Sequence, residues 1–209
     1  YWARSYVGWS RVETAKPNPG HLALAQAEQS GRVFSIITQN VDGLHQKAGS
    51  KKVLELHGRV DQVLCPGCGD MLSRPGLDAR IAQLNPEVNR SQDVEFTPDG
   101  DAEVEVGKSF RVPECGACGA HYKPDVVFFG EQVPLSRVEA AEGLLNQAEA
   151  LLVAGTSLTV NSGLRLVKRA QKRGIPIVIV NLGDTKADLM ANVKLSASTS
   201  DLLEAILND

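Results

Sequence analysis

The sequence predicts an α/β fold: a doubly wound parallel sheet with its first strand missing and a small metal-binding module inserted into it. Three observations carry this expectation. Short apolar runs alternate with stretches of helical spacing, the pattern of strands buried on both faces between helices. Between Cys65 and Tyr122 the texture changes to prolines, glycines and acidic residues. Four cysteines stand at the margins of that change as two CxxC pairs, each followed by glycine. The expected organisation is residues 1–60 as the first part of the sheet domain, 61–124 as the module with a long insertion, and 125–209 as the second part.

At 209 residues and 43% apolar content the chain can bury a sizeable core, and a mean hydropathy of −0.14 places it among soluble globular proteins. A formal charge of −3 gives no general basic field, so direct nucleic-acid binding is not expected. No run of eighteen apolar residues is present, so no membrane span is expected. Paired cysteine knuckles suit a reducing compartment better than a disulfide framework does. The chain opens at Tyr1 with YWARSYVGW, which reads as the aromatic middle of a folded domain. A preceding segment is therefore expected, and no targeting signal can be read.

In chain order, Pro17-Asn18-Pro19-Gly20 is a turn, and HLALAQAEQSG has helical spacing with Gly31 as its stop. Val33 to Ile37 is a buried strand. Gly76 to Leu84 forms a helix, and Asn85 to Val106 reads as loop with a turn at Thr97-Pro98-Asp99-Gly100. Val126 to Phe129 is an apolar strand, and Ser136 to Ala150 a helix in which Ser136 and Glu139 make a capping-box pattern. Residues 151–158 read as a strand running into a Gly-Thr-Ser turn, with further strands at 175–183 and 193–195 and helices at Ser162 to Arg173 and Ser200 to Leu207. In such a sheet, ligands collect beyond the carboxyl ends of the strands, where Gln39, Asn40, Thr156, Ser157 and Asn181 fall.

Each motif has a chemical reading. Cys65-Pro-Gly-Cys68 and Cys115-Gly-Ala-Cys118 can present four thiolates to one tetrahedral zinc, and an all-sulfur set leaves no open position, so the metal is structural. A redox dithiol is the competing reading. Gly155-Thr156-Ser157 and Asn181-Leu182-Gly183 repeat a polar turn after successive strands, which suits ribose hydroxyls and phosphates; a single such turn is also ordinary turn chemistry. The densest stretch is TQNVDGLHQKAGSKKVLELHG, Thr38 to Gly58, with amides, a carboxylate and two histidines at a strand exit. Asp42 also reads as a helix cap and His45 as a packing histidine. His57, between an alternating segment and a glycine, reads as a general base.

TQNVDGLH, ELHG, the two CxxC pairs, KPDVVFFGE, GTSL and NLG, in that order, resemble the sirtuins, NAD-dependent protein-lysine deacylases. The resemblance covers almost the whole chain. YWARSYVGW and the long insertion look most like the class II branch, whose best-known animal members are mitochondrial and which has many bacterial members. The resemblance implies that His57 is the catalytic base on the nicotinamide ribose, with Asn40 and Asp42 lining the catalytic pocket. Gln39, Asn40, Val41 and Asp42 would contact NAD on the nicotinamide side. Gly155, Thr156 and Ser157 would face the adenosine, Asn181, Leu182 and Gly183 the adenine ribose, and Thr199 the adenine. Val126, Val127, Phe128, Phe129 and Gly130 would offer the strand edge to which an acyl-lysine peptide adds.

The implied reaction transfers the acyl group of lysine to ADP-ribose, giving nicotinamide, free lysine and O-acyl-ADP-ribose, with mono-ADP-ribosyl transfer as a variant on the same site. A non-catalytic NAD- and zinc-binding scaffold is the other reading. The family's glycine-rich, pyrophosphate-cradling loop finds no counterpart in this sequence, so the chain by itself is expected to bind NAD weakly and turn over slowly. A cytoplasmic location is expected, with the mitochondrial matrix as alternative.

Overall fold

The computed structural model describes residues 1–89 and 109–207. In chain order the elements are α1 (Trp2–Thr14), α2 (Pro19–Gln29), β1 (Ile36–Thr38), α3 (Leu44–Lys47), β2 (Val53–Glu55), β3 (Gly58–Leu64), β4 (Met71–Ser73) and α4 (Arg74–Leu84). After the insertion come β5 (Lys123–Val126), α5 (Leu135–Gln147), β6 (Leu151–Ala154), α6 (Asn161–Arg173), β7 (Ile177–Val180), a short three-ten helix (Asp188–Met190), β8 (Val193–Leu195) and α7 (Thr199–Leu207). The turn expected at Thr97–Gly100, with most of the loop around it, lies outside the described residues.

The chain forms two compact units, one of Tyr1–Ala15 with Arg59–Val126, the other of Lys16–Gly58 with the chain from Val127 onward. In the first, β3 lies between β4 and β5, and β3 and β4 are antiparallel. The opening helix α1 belongs to this unit and not to the sheet domain that follows it in sequence. Its aromatic residues supply apolar area that the proline- and glycine-rich module lacks: Trp2 and Tyr6 pack with Val63, Leu77, Ile81 and Tyr122. The Trp2 indole N–H donates to the Tyr122 carbonyl at 2.7 Å. Arg74, 1% exposed, lies over the rings of Trp2 and Trp9, donates to Asp78 at 2.8 Å and binds both the hydroxyl and the carbonyl of Ser5. A buried guanidinium is tolerated here because its charge is paired and its N–H groups are engaged.

The second unit is the α/β part. β1 and β2 pair in parallel, Ile36 opposite Val53 and Thr38 opposite Glu55, and β6, β7 and β8 form a second parallel ladder. The parallel pairing is as expected, but it is divided: among the described residues no ladder joins β1 to β6. α6 lays Leu164, Val167 and Ala170, one helical face, against Val153, Ile177 and Ile179 and stops at Gly174 in the left-handed region, φ 71°.

Residues 151–158 form a strand running into a turn, as expected: β6 ends at Ala154, and Gly155 (φ 64°) and Leu158 (φ 55°) leave the pleated region. Several other boundaries differ from the sequence reading. The strand expected over 175–183 spans only Ile177–Val180. The apolar strand expected at Val126–Phe129 is instead Lys123–Val126; the chain then turns, with Glu131 N–H donating to the Phe128 carbonyl and Gly130 at φ 90°, which leaves Phe129 fully exposed. The capping box at Ser136 is not formed. α5 starts one residue earlier behind Pro134, whose fixed φ already suits a helix entry and whose carbonyl takes the N–H groups of Arg137 and Val138. A capping box forms where none was expected, at α2, between Asn18 and His21.

Candidate active site and metal centre

β1 and β2 end side by side, and the Leu56 N–H still bonds the Thr38 carbonyl at 2.9 Å. This brings together Gln39, the first residue beyond β1, and His57, the second beyond β2. His57 Nδ1 lies 3.0 Å from the Gln39 carbonyl and Nε2 lies 2.8 Å from the Ser162 hydroxyl at the start of α6. A carbonyl only accepts, so in the neutral ring the proton sits on Nδ1 and Nε2 receives the hydroxyl. The Gln39 side chain reaches the other way, its Oε1 accepting from Thr156 Oγ1 at 3.1 Å. It lies so close to α6 that a Cβ at Gly163 would stand 2.8 Å from Oε1. Gln39, His57, Thr156, Ser162 and Gly163 thus make one polar cluster over the exits of β1, β2 and β6.

The structure joins Gln39, His57 and Thr156 from the sequence-predicted set and adds Ser162 and Gly163, which sequence reasoning missed. The available signal was a Ser-Gly pair opening a helix directly after a strand-exit turn. Asn40, Val41 and Asp42 form the loop into α3: the Asn40 N–H donates to Thr38 Oγ1 at 3.1 Å, and Asp42 Oδ1 accepts from the Leu44 N–H at 2.9 Å. Asp42 thus closes a local turn onto the first residue of α3; the N-cap of that helix is Gly43, and no side chain caps it. Asn40 is exposed and Asp42 half-buried.

On the other side, Gly155 approaches Thr199, where a Cβ would meet Thr199 Cγ2 at 3.5 Å. Ser157 shares a hydrogen bond with Thr159 at 3.1 Å. The Asn181 amide turns onto its own loop, donating to the Gly183 carbonyl at 2.9 Å, while Ser196 donates to the Leu182 carbonyl. Leu182 and Gly183 are exposed. Along the expected peptide edge, the Val127 N–H donates to the His57 carbonyl at 2.9 Å, so this segment runs directly beside the histidine's backbone.

His45 packs on His21 with ring centroids 4.6 Å apart. Burial pushes both imidazoles below their ordinary value, and for His45 the neighbouring His21 adds to the effect, while Asp42 opposes it in both. The expected packing role of His45 fits this contact, whose partner His21 was not foreseen.

The metal centre is built by two equivalent knuckles. Cys65 N–H bonds the Asp70 carbonyl and Gly69 N–H the Cys65 carbonyl; Cys115 with Ala120, and Gly119 with Cys115, repeat the pattern. Gly69 (φ 79°) and Gly119 (φ 76°) take the left-handed turn that this geometry needs. All four sulfurs lie within 4.8 Å of one another, with Cys65–Cys118 at 3.4 Å and Cys68–Cys115 at 3.7 Å. Sulfurs bound to one tetrahedral zinc at 2.3 Å stand about 3.8 Å apart, so the spacing fits that ion.

The donors' own acidity points the same way. The Ala117 N–H leads in drawing the Cys115 thiol down to about 6. At Cys68 the N–H of Asp70 also favours the thiolate, but the thiols of Cys65, Cys115 and Cys118 outweigh it and push Cys68 up to about 12. A cation among the sulfurs would relieve the crowding that pushes Cys68 up.

The profile of the Sir2 family matches residues 1–162. The chain belongs to the Sir2 family. Among its relatives, the NAD-dependent protein deacetylase 1 of Mycobacterium avium is 49% identical over all of this chain and 75% of its own length. The Sirt4 NAD-dependent protein deacylase of Drosophila melanogaster is 42% identical over all of this chain and 67% of its own. The human mitochondrial sirtuin-4, an NAD-dependent protein lipoamidase, is 43% identical over 99% and 66%. The chain thus spans two thirds to three quarters of these relatives. A solved structure of Sir2 with a p53 peptide and NAD superposes with a TM-score of 0.74 at 33% identity, covering 95% of this chain and 72% of that one. Another, holding 2′-O-acetyl-ADP-ribose and a deacetylated peptide, superposes with 0.74 at 31% identity over 95% and 74%. The Rossmann-like α/β class with its cysteine module is therefore the family's fold.

Proposed function

We infer that this family member is an NAD-dependent protein-lysine deacylase that passes the acyl group to ADP-ribose and releases nicotinamide. The observation that carries the reading is His57, held by the Gln39 carbonyl with its basic nitrogen turned to a hydroxyl, at the place where the exits of β1, β2 and β6 converge. NAD is the co-substrate. It supplies the activated ribose, so the protein's work is to position groups, exclude water and move one proton. His57 takes that proton from a ribose hydroxyl, which frees the oxygen to attack the acyl carbon.

Gln39, Asn40, Val41 and Asp42 hold the nicotinamide side, Asn40 and Asp42 nearest the reacting ribose. Gly155, Thr156, Ser157, Asn181, Leu182, Gly183 and Thr199 receive the adenosine. The support for this division is that these residues end successive parallel strands, where nucleotides bind in such sheets. Acyl-lysine proteins are the partners, docking along Val126, Val127, Phe128, Phe129 and Gly130. Val127 already bonds the His57 carbonyl, which sets an added strand beside the base. The zinc held by Cys65, Cys68, Cys115 and Cys118 keeps its unit folded and takes no part in the chemistry.

No helix among the described residues is long and apolar enough to cross a membrane. The cytoplasm is the proposed location; the mitochondrial relatives from human and cattle support the matrix as alternative.

The test is mass spectrometry of acyl-lysine peptides incubated with the intact protein, with and without NAD. The expected result is NAD-dependent loss of the acyl group with formation of O-acyl-ADP-ribose, reduced about 10²- to 10⁴-fold in His57→Ala, the usual contribution of a general base. ADP-ribose attached to protein, without O-acyl-ADP-ribose, would replace this reading with the transferase one. Binding of NAD with neither product would leave only the scaffold.

A further inference from the structure

We propose that Ser162 is the positioning residue of His57, a hydroxyl that holds the ring's orientation at its basic nitrogen until a ribose hydroxyl takes its place, the tautomer itself being set by the Gln39 carbonyl. The proposal rests on the deacylase reading for its consequence, but its geometry is independent of it. His57 is held at both ring nitrogens by groups of different kind. The Gln39 carbonyl can only accept, and so fixes the proton on Nδ1. The Ser162 hydroxyl, 2.8 Å from Nε2, is then the donor to the basic lone pair.

Ser162 is placed to do this and little else. It is the second residue of α6, whose N-cap position is Val160, and no side chain caps this helix. A serine at a helix entry ordinarily bonds a backbone N–H of the first turn; here the hydroxyl goes to an imidazole 105 residues away in sequence. The first turn of α6 is itself held in register, because Gly163 lets the Gln39 side chain lie against the helix and Thr156 fixes the far end of that side chain. Ser162, His57 and Gln39 therefore close one ring of contacts.

The proton step balances without another reactant. When the Ser162 hydroxyl rotates away from Nε2, a ribose hydroxyl donates in its place. The ribose O–H bond breaks as the Nε2–H bond forms, and the oxygen keeps the electron pair for its attack on the acyl carbon. Ser162 neither gains nor loses a proton; it hands over a hydrogen-bond position. Without it, the neutral ring keeps only the Gln39 carbonyl as an anchor, and its orientation about that bond is less firmly held.

The experiment compares the intact protein with Ser162→Ala and Ser162→Thr, reading the His57 ring nitrogens by ¹⁵N NMR without ligand and turnover with NAD and an acyl-lysine peptide. In Ser162→Ala the Nε2 resonance moves to that of an unbonded lone pair, and kcat falls about 3- to 10-fold, the scale of one neutral hydrogen bond. Ser162→Thr keeps the hydroxyl and restores both readouts. An unchanged Nε2 resonance in Ser162→Ala, or a folded Ser162→Thr that restores neither readout, overturns the proposal. If the wild-type protein makes no O-acyl-ADP-ribose, the deacylase reading fails by itself, and the NMR comparison still decides whether Ser162 holds His57.

Discussion

The cysteine unit and the strand-exit unit solve opposite problems. The first has little aliphatic core and gathers groups that repel one another or dislike burial: four thiols, and a guanidinium 1% exposed between two indoles. It holds together through specific pairings, Arg74 with Asp78 and Ser5, and the sulfurs with a metal. The second unit buries Val153, Leu164, Val167, Ile177 and Ile179 in an ordinary core and confines its polar groups to strand exits. Where apolar burial is scarce, polar groups must carry stability. Where it is plentiful, they are left for chemistry.

Metal removal is the strongest way to break this contrast. Structural zinc binding in small domains is worth about 10–16 kcal/mol, more than a small core supplies. Both tryptophans of the chain, Trp2 and Trp9, lie in the cysteine unit, so their emission reports on it selectively. Cys115→Ala, or exhaustive chelation, should shift that emission to the red, while far-UV circular dichroism keeps most of the signal of the strand-exit unit. Unchanged emission with zinc demonstrably released would mean that the unit's core suffices without the metal.

A smaller effect is expected from Gly163→Ala in the other unit. The added Cβ falls 2.8 Å from Gln39 Oε1, so the Gln39 side chain must leave its bond to Thr156. Because the atom met is the far end of a flexible side chain, the cost is mainly the lost Thr156 hydrogen bond, about 1 kcal/mol, readable as a slightly lowered urea midpoint. Turnover should fall by more than stability does, since the displaced side chain links the exit of β1 to Thr156 within the site, while the Gln39 group that holds His57 is its backbone carbonyl. Equal activity in a stably folded variant would separate the Gln39 side chain from the site.

The smallest effect concerns His21 and His45. Both are pushed below their ordinary value of 6.5, so the folded state resists protons that the unfolded chain accepts. Their contribution is neutral above 6.5 and becomes destabilising as pH falls below it, levelling off once the folded rings also protonate. Urea midpoints measured at pH 7.5 and 5.5 should show a loss on acidification that is smaller in His21→Gln. An identical pH dependence in that variant would remove the pair from the account.

Legibility in the sequence followed the same division. The zinc ligands could be read because a metal fixes both the residue type and the CxxCG spacing. The parallel strands could be read because burial on both faces leaves an apolar run, and Gly155 and Leu158 turn the chain at the end of one of them. His57 and Gln39 stood out as polar residues at strand exits. Ser162 did not, since its partner is 105 residues away and the Ser-Gly pair that opens α6 does not say what the hydroxyl meets. The capping box at Ser136 failed because Pro134, two residues earlier, had already begun the helix. The one at α2 escaped notice because a histidine fills the place usually held by Glu or Gln. The placement of α1 was hidden for a related reason: its aromatic face announces burial, but the sequence does not say against what.

The division of the parallel strands into two ladders has a mechanical side. Among the described residues β1–β2 and β6–β7–β8 are two plates with no ladder between them, and the contacts from His57 to Ser162 and from Gln39 to Thr156 run from one to the other. A ligand that claims any of these groups for itself breaks such a contact, and one that bridges both plates replaces it. A mutation that breaks one of these contacts is therefore expected to be felt as a change in affinity for a ligand that reaches across both plates.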